Sequence, residues 1–176
     1  MNLNNLTDEQ IRQLAIEYHQ GIKVLDMLAN QMYETIHHEA CKAKGVLVTP
    51  CNFMLLKKEN NPLNQDEEAI KAGGTCLGMY LDDVKRIAIN VAGIMQMVIK
   101  QTQECDMELA GLLMVDTIAH EITHYLQDMN GETFDMITSY YERAHEKEAR
   151  AVGQHVATKL RQYIKTAVKY YATLVA

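Results

Sequence analysis

The feature that most constrains this chain is an unbroken helical pattern at its start. Ile11, Leu14, Ala15, Tyr18, Ile22, Leu25 and Leu28 recur at intervals of three and four, which lays one apolar stripe along a helix. Thr7, followed by Asp8, Glu9 and Gln10, supplies an N-cap with a capping box. The pattern runs to about Lys44, and Gly45 ends it as a glycine after a last helical turn commonly does.

The rest of the chain is more broken. Residues 46–57 (VLVTPCNFMLLK) read as an extended segment, and residues 58–66 (KENNPLNQD) as a polar loop, the best place for a flexible excursion. Cys76 to Leu81 and Arg86 to Val91 flank Asp82–Asp83, the pattern of a hairpin, and the second stretch alternates as Ile87, Ile89 and Val91. Helical spacing resumes near Glu104 and ends before Asn130–Gly131. A last helix runs from about Tyr140 to near the C-terminus. The order predicts an α+β class, mostly helical, with a small sheet or hairpin ahead of the second long helix. No internal repeat or low-complexity tract interrupts it. A length of 176 residues fits one domain, 1–176, divided into an N-terminal helix (1–45), strands and loop (46–91), a second helix (104–129) and a last helix (140–174).

Composition limits the function classes. With 48% hydrophobic and 23% charged residues the chain is not disordered as a whole. The formal charge is −6, where a protein built to grip nucleic-acid phosphates is usually basic, so no nucleic-acid partner is expected. The charge is uneven: residues 1–136 carry −10 and residues 137–176 carry +4. The simplest account is a basic last helix packed on an acidic body. The longest apolar stretch, Ile87 to Ile99, is broken by Asn90 and Gln96 and is too short to span a bilayer. The N-terminus has no positive start and no apolar run, so no secretory signal is read there. Cys41, Cys51, Cys76 and Cys105 form no CxxC pair, and free thiols in a reducing cytoplasm are expected.

The residues with chemistry are His120-Glu121-Ile122-Thr123-His124, an HExxH run inside the second long helical pattern. Residues at i and i+4 share a helix face, so two imidazoles so placed can bind one metal ion. The glutamate points to one side, where it can reach a water on that metal without being a ligand. On a wheel of about 100° per residue, Val115, Ile118, Ala119, Ile122, Leu126 and Met129 cluster opposite the two histidines. The apolar face is expected to be buried and the histidines to look the other way. A catalytic zinc takes three protein ligands. The HExxHxxGxxH pattern fails, because Gln127 and Asn130 stand at its glycine and third-histidine positions. An acid from the last helix is the remaining route. There Ala149, Val152, Val156, Leu160, Tyr163, Ile164, Ala167 and Tyr171 form one stripe, and Glu142 and Glu146 fall inside it. Glu148 falls roughly 110° from its centre. A carboxylate on a core-facing stripe needs a partner, and a metal ion is one. Ala149 and Gly153 share that face and are small enough for close helix approach. By this reading the third ligand is Glu146 or Glu142. His37 and His38 with Cys41, and His19, are read as structural or surface residues.

The set resembles the gluzincin group of zincin metallopeptidases, and is closer to the ImmA/IrrE-like and related small phage and bacterial metallopeptidases. In those a short apolar strand ending in Asn precedes HExxH and an E-x-E-A pattern follows. Here the likeness lies in Ile87-Ala88-Ile89-Asn90, His120 to His124, and Glu146-Lys147-Glu148-Ala149, within roughly residues 74–156. The strand-to-HExxH gap is long, and no apolar-Pro ending follows the last pattern. The resemblance implies Zn²⁺ held by His120, His124 and Glu146, with Glu121 taking a proton from the attacking water and passing it to the leaving amine. It also implies a peptide or protein substrate laid against the strand Ile87–Val91. Tyr140, Tyr141, Arg143, His145 and His155 are possible oxyanion donors, and Asp116 a possible acceptor behind an imidazole. Two other readings stand beside it: a non-catalytic metal-binding regulatory or scaffold protein, and a structural helical protein in which HExxH is accidental.

Overall fold

The structure is a computed structural model and describes residues 7–65, 75–135 and 137–176. Helix α1 spans Asp8–Lys44. The Thr7 hydroxyl accepts from the Gln10 amide at 3.2 Å and the Gln10 side chain accepts from the Thr7 amide at 2.9 Å, so the capping box forms as the sequence predicts. Gly45 ends the helix at φ 69°, a conformation that favours glycine. The buried side of α1 carries Tyr18, Ile22, Leu25, Leu28, Met32 and Ile36.

Three strands follow: β1 (Asn52–Leu56), β2 (Gly78–Leu81) and β3 (Arg86–Asn90). The hairpin pairs Gly78 with Ile89 and Leu81 with Arg86, antiparallel across the turn that holds Asp82–Asp83. β1 pairs parallel to β3, with Asn52 opposite Arg86 and Leu56 opposite Asn90. The sheet order is therefore β1-β3-β2. β3 is the central strand, which is why Ile87, Ala88 and Ile89 are all buried and not only the alternating isoleucines. Contrary to expectation, an extended peptide cannot add to the Ile87–Val91 strand, because both edges of β3 are already paired. Of the extended segment 46–57, only Asn52–Leu56 forms a strand.

Two further corrections concern connections. The loop after β1 is not a free excursion over its described part. Asn61 is buried and donates to Asn90 Oδ1 at 2.9 Å, while Asn90 Nδ2 donates to Asn64 Oδ1 at 2.7 Å and to the Cys76 carbonyl at 2.9 Å. Asp66, the last residue of that span, lies outside the described residues. Sequence reading also missed a helix, α2 (Val91–Thr102). Asn90 both ends β3 and caps α2, accepting from the Gly93 amide at 2.9 Å. Val91, Ile94, Met95 and Val98 are buried at helical spacing while Gln96, Lys100 and Gln101 are exposed, but the segment continues the apolar run of β3 and reads with that strand.

Helix α3 spans Met107–Met129, starting at an Asp106 cap, and helix α4 spans Ala144–Val175. α4 begins later than expected, because Tyr140–Glu142 form a separate 3-10 turn. α3 packs against α1, α2, α4, β2 and β3, and so runs through the middle of the molecule. Ile118, Ile122 and Leu126 are fully buried in it, each contributing about 1.5–3 kcal/mol by leaving water. The basic last helix does sit on acidic partners: Lys159 bonds Glu39, and Lys165 Nζ lies 3.0 Å from Glu108. Tyr163 and Met129, both assigned to apolar stripes, are more than half exposed because each sits at the margin of its helix's covered face. The four cysteines are free. Among the described residues, no helix is long and apolar enough to cross a membrane. The whole is mostly helical with one small sheet, an α+β architecture.

Candidate metal centre

The HExxH segment lies near the end of α3, where the helix is covered on nearly every side. Val115, Ile118, Ala119, Ile122 and Leu126 face the core as expected. The opposite face differs from expectation. His120 is half-buried, and Glu121, Thr123, His124, Tyr125 and Gln127 are all buried. The reason is α4. It crosses α3 at Gly153, where an added Cβ would stand 2.3 Å from Asp116 Oδ1 and 2.8 Å from the Asp116 carbonyl oxygen. No side chain fits in that crossing. Glu146 lies on the same face of α4, about two turns earlier.

This crossing brings Glu146 to the histidines. His120 Nε2 and His124 Nε2 are 3.0 Å apart, and Glu146 Oε2 lies 3.3 Å from the first and 3.5 Å from the second. The side chains of all three are at most 14% exposed. Tetrahedral zinc with ligands at about 2.0–2.1 Å has ligand–ligand edges of about 3.3 Å. The three atoms therefore form one face of such a tetrahedron. Their chemistry also fits a cation. Glu146 Oε2 is a buried oxygen with no hydrogen-bond partner. Imidazole nitrogens and a carboxylate are the donor set zinc takes in sites with an open position. Among the described residues, this is the one group of His, Cys, Asp and Glu side chains arranged to hold a metal.

The electrostatics are those of a buried, mutually dependent cluster. Burial alone would raise the Glu146 pKa, but the two imidazoles outweigh it and hold the carboxyl well below the usual carboxylate range. Burial opposes a proton on His124, yet Glu146 and Glu121 leave its pKa raised. Glu121 is 5% exposed, and burial pushes its pKa up against the lowering effect of the two histidines and of the Tyr80 amide. β2 is the cover: a Cβ at Gly78 would stand 2.8 Å from Glu121 Cγ. A glycine there lets the strand lie directly on the glutamate.

The other sequence candidates separate cleanly. Glu142 is exposed, lies in the 3-10 turn rather than on α4, and pairs with Lys147 at 3.0 Å. The wheel that admitted it assumed a helix already running at 142. Glu148 does not join the histidine cluster; its Oε2 accepts from Lys44 and from Gln127. The Tyr140 hydroxyl bonds Glu146, and burial with that carboxylate's charge raises its pKa strongly. Arg143 is buried and its Nε donates to the Thr138 carbonyl at 2.9 Å. His145 Nε2 lies 3.7 Å from Glu146 Oε1, and burial lowers its pKa. His155 is exposed. Asp116 packs against Gly153; burial raises its pKa, against a lowering by His120. His37 is buried 3.7 Å from Cys41 Sγ, and His38 and His19 are exposed.

Sequence reading missed two neighbours. The Phe134 ring lies 6.0 Å from His124 and 5.1 Å from His145, centroid to centroid, and covers one side of the cluster. Gln127, noticed only for failing to be glycine, has its Oε1 2.9 Å from His124 Nδ1. Its spacing of i+3 from His124 was the available clue. A cleft of about 420 Å³ lies alongside, lined by Glu132, Thr133, Asp135, Ala144, His145 and Glu148. Comparison with known proteins finds no matching family model, no similar curated protein and no similar solved structure.

Proposed function

We propose that this chain is a zinc-dependent peptidase of zincin type, with His120, His124 and Glu146 as metal ligands and Glu121 as the general base. The observation that carries the reading is the triangle of ligand atoms, with edges of 3.0, 3.3 and 3.5 Å, and an adjacent carboxylate that is not part of it. Bound zinc would supply a Lewis acid that polarises a scissile carbonyl and lowers the pKa of a water towards about 7. The residues supply the rest. Glu121 is the carboxylate beside the ligand triangle and not part of it, which makes it the group to accept the proton of the attacking water; burial raises its pKa. Tyr140 carries a hydroxyl bonded to Glu146, which makes it a candidate donor for a developing oxyanion. Since β3 is paired on both sides, an extended peptide would use the outer edge of β2, the strand that lies on Glu121.

One observation favours the non-catalytic metal-binding reading: Glu121 lies under β2 and accepts from the Tyr80 amide, so it is already engaged. Glu121→Gln separates the two. The expected result is a variant that binds one zinc as the parent does but cleaves a peptide library at least about 100-fold more slowly. Stoichiometric zinc binding with no cleavage by either chain would favour the scaffold. Absence of zinc binding would leave HExxH as a structural coincidence.

A further inference from the structure

We propose that Gln127, held by Glu148 and Lys44, fixes the tautomer and ring orientation of His124, and so makes the end of α1 part of the metal centre. The inference rests on the metal-binding reading above and adds the residues that prepare it.

The direction of every hydrogen bond in this chain follows from residue chemistry. Lys44 Nζ can only donate. It lies 2.7 Å from Glu148 Oε2 and 3.0 Å from Glu132 Oε1, with its side chain 8% exposed. Glu148 Oε2 also lies 2.8 Å from Gln127 Nε2. The same Gln127 atom lies 3.1 Å from the His145 carbonyl oxygen. Both neighbours accept only, so that atom must be the amide nitrogen. Turning the amide round would set its oxygen against a carboxylate and a carbonyl. Gln127 Oε1 therefore faces His124 Nδ1 at 2.9 Å and can only accept from it. Nδ1 carries the hydrogen, and in the neutral ring Nε2 is left as a lone pair. That lone pair belongs to the atom at the apex shared with His120 and Glu146.

The other tautomer would put an N–H where a metal ligand is needed. Gln127 is fully buried, and a methionine in its place fills the same space without an acceptor for Nδ1. The polarity is set from the far end by Lys44, in the last turn of α1. This gives the N-terminal helix a role besides packing: its final turn supplies the cation that holds Glu148, and Glu148 holds the amide.

The test uses the full chain. First, histidine-¹⁵N NMR of the metal-free protein in alkaline buffer reads the His124 tautomer without any metal. The expected result is hydrogen on Nδ1 and a bare Nε2. Second, zinc affinity is measured by competition with a chelating dye for Gln127→Met, Lys44→Met and Lys44→Arg, alongside metal-free melting curves. Partners behind a ligating histidine typically affect metal affinity by about 10–100-fold, and a loss in that range is expected for Gln127→Met. Lys44→Met is expected to weaken zinc binding in the same direction. Lys44→Arg, which keeps a donor on Glu148, is expected to bind close to the parent. His124 with its hydrogen on Nε2, or Gln127→Met binding zinc as tightly as the parent, would overturn the proposal. Should Gln127→Met fail to fold, the parent spectrum and the two Lys44 variants still decide it. A parent chain that binds no zinc would defeat the metal reading, while the NMR result would still decide the tautomer.

Discussion

The crossing of α4 over α3 at Gly153 offers a perturbation that touches none of the proposed ligands. In Gly153→Ala the new Cβ would stand 2.8 Å from the Asp116 carbonyl oxygen and 2.3 Å from its Oδ1. The carboxylate can swing aside; the carbonyl is part of α3 and cannot. Ordinary contact needs about 0.6 Å more, so α4 must retreat by roughly that much. Two effects then oppose each other in stability. Alanine gains about 1 kcal/mol over glycine inside a helix, and overpacking costs about 1–3 kcal/mol. The metal-free protein should therefore change by no more than about 2 kcal/mol, or roughly 4–8 °C in Tm for a chain of this size. The ligand set is less tolerant. Metal–ligand distances must hold to about 0.2 Å, and Glu146 rides on the displaced helix. Zinc affinity is expected to fall at least about tenfold, measured by dye competition beside metal-free melting curves. If Gly153→Ala binds zinc within about threefold of the parent while α4 remains folded, the claim that this crossing sets the Glu146 position is refuted.

Other outcomes follow from single contacts. Ile118→Ala removes a fully buried side chain and should cost about 2–5 kcal/mol in chemical denaturation, with no direct effect on the ligands. Glu146→Gln keeps the shape but weakens the donor; the rise in Tm that zinc gives the parent should shrink or vanish, whereas an unchanged zinc-dependent rise would remove Glu146 from the ligand set. Asp128 is held below its ordinary pKa by hydrogen bonds from Lys85 and Tyr80. A depressed carboxyl stabilises above its unfolded pKa and loses that contribution as pH falls through the folded one. Asp128→Asn should thus be less stable than the parent at neutral pH, by at most about 1 kcal/mol for a pair open to solvent on the Lys85 side, with the gap closing below about pH 4. A gap that widens in acid would contradict the assignment.

Much of this fold was legible in the sequence because local rules decide it. Thr7 and Gln10 cap α1 by short-range bonds, and Gly45 closes it with a positive φ. The hairpin needed only two apolar runs and a turn. What was not legible depends on tertiary neighbours. Helix α2 spaces Val91, Ile94, Met95 and Val98 as a helix does, but it follows β3 without a break in the apolar run, and only the folded chain shows where the strand stops. β3 looks like a border strand until β1 pairs with it from more than thirty residues away. The same limit applies at the site. HExxH and the E-x-E-A glutamate are visible as spacing. The bond from His124 to Gln127, and from there to Glu148 and Lys44, joins three helices that no periodicity relates.

The energetic oddity of α3 weighs between the remaining readings. A helix through the middle of a domain buries apolar residues at no electrostatic cost, and this one does so along Ile118, Ile122 and Leu126. Its other face carries Glu121, His124 and Gln127, all buried, with Glu146 brought onto it from α4. Removing carboxylates and imidazoles from water costs several kcal/mol per ion unless each is matched. Matching is incomplete without a cation: Glu146 Oε2 finds no hydrogen bond, and the two imidazole nitrogens 3.0 Å apart have room for only one hydrogen between them. A proton on His124, which Glu146 and Glu121 favour, can relieve part of this, but one proton cannot serve three convergent atoms. A divalent ion can. An accidental HExxH on a purely structural helix would have no cause to gather a third acceptor from another helix, or to fix one histidine's tautomer through a buried amide. On this balance the metal-free protein should be measurably less stable than the zinc-loaded one, by about 2.7 kcal/mol at a hundredfold excess of zinc over its dissociation constant, or roughly 5–11 °C in Tm. Equal melting curves with and without zinc would count directly for the structural alternative.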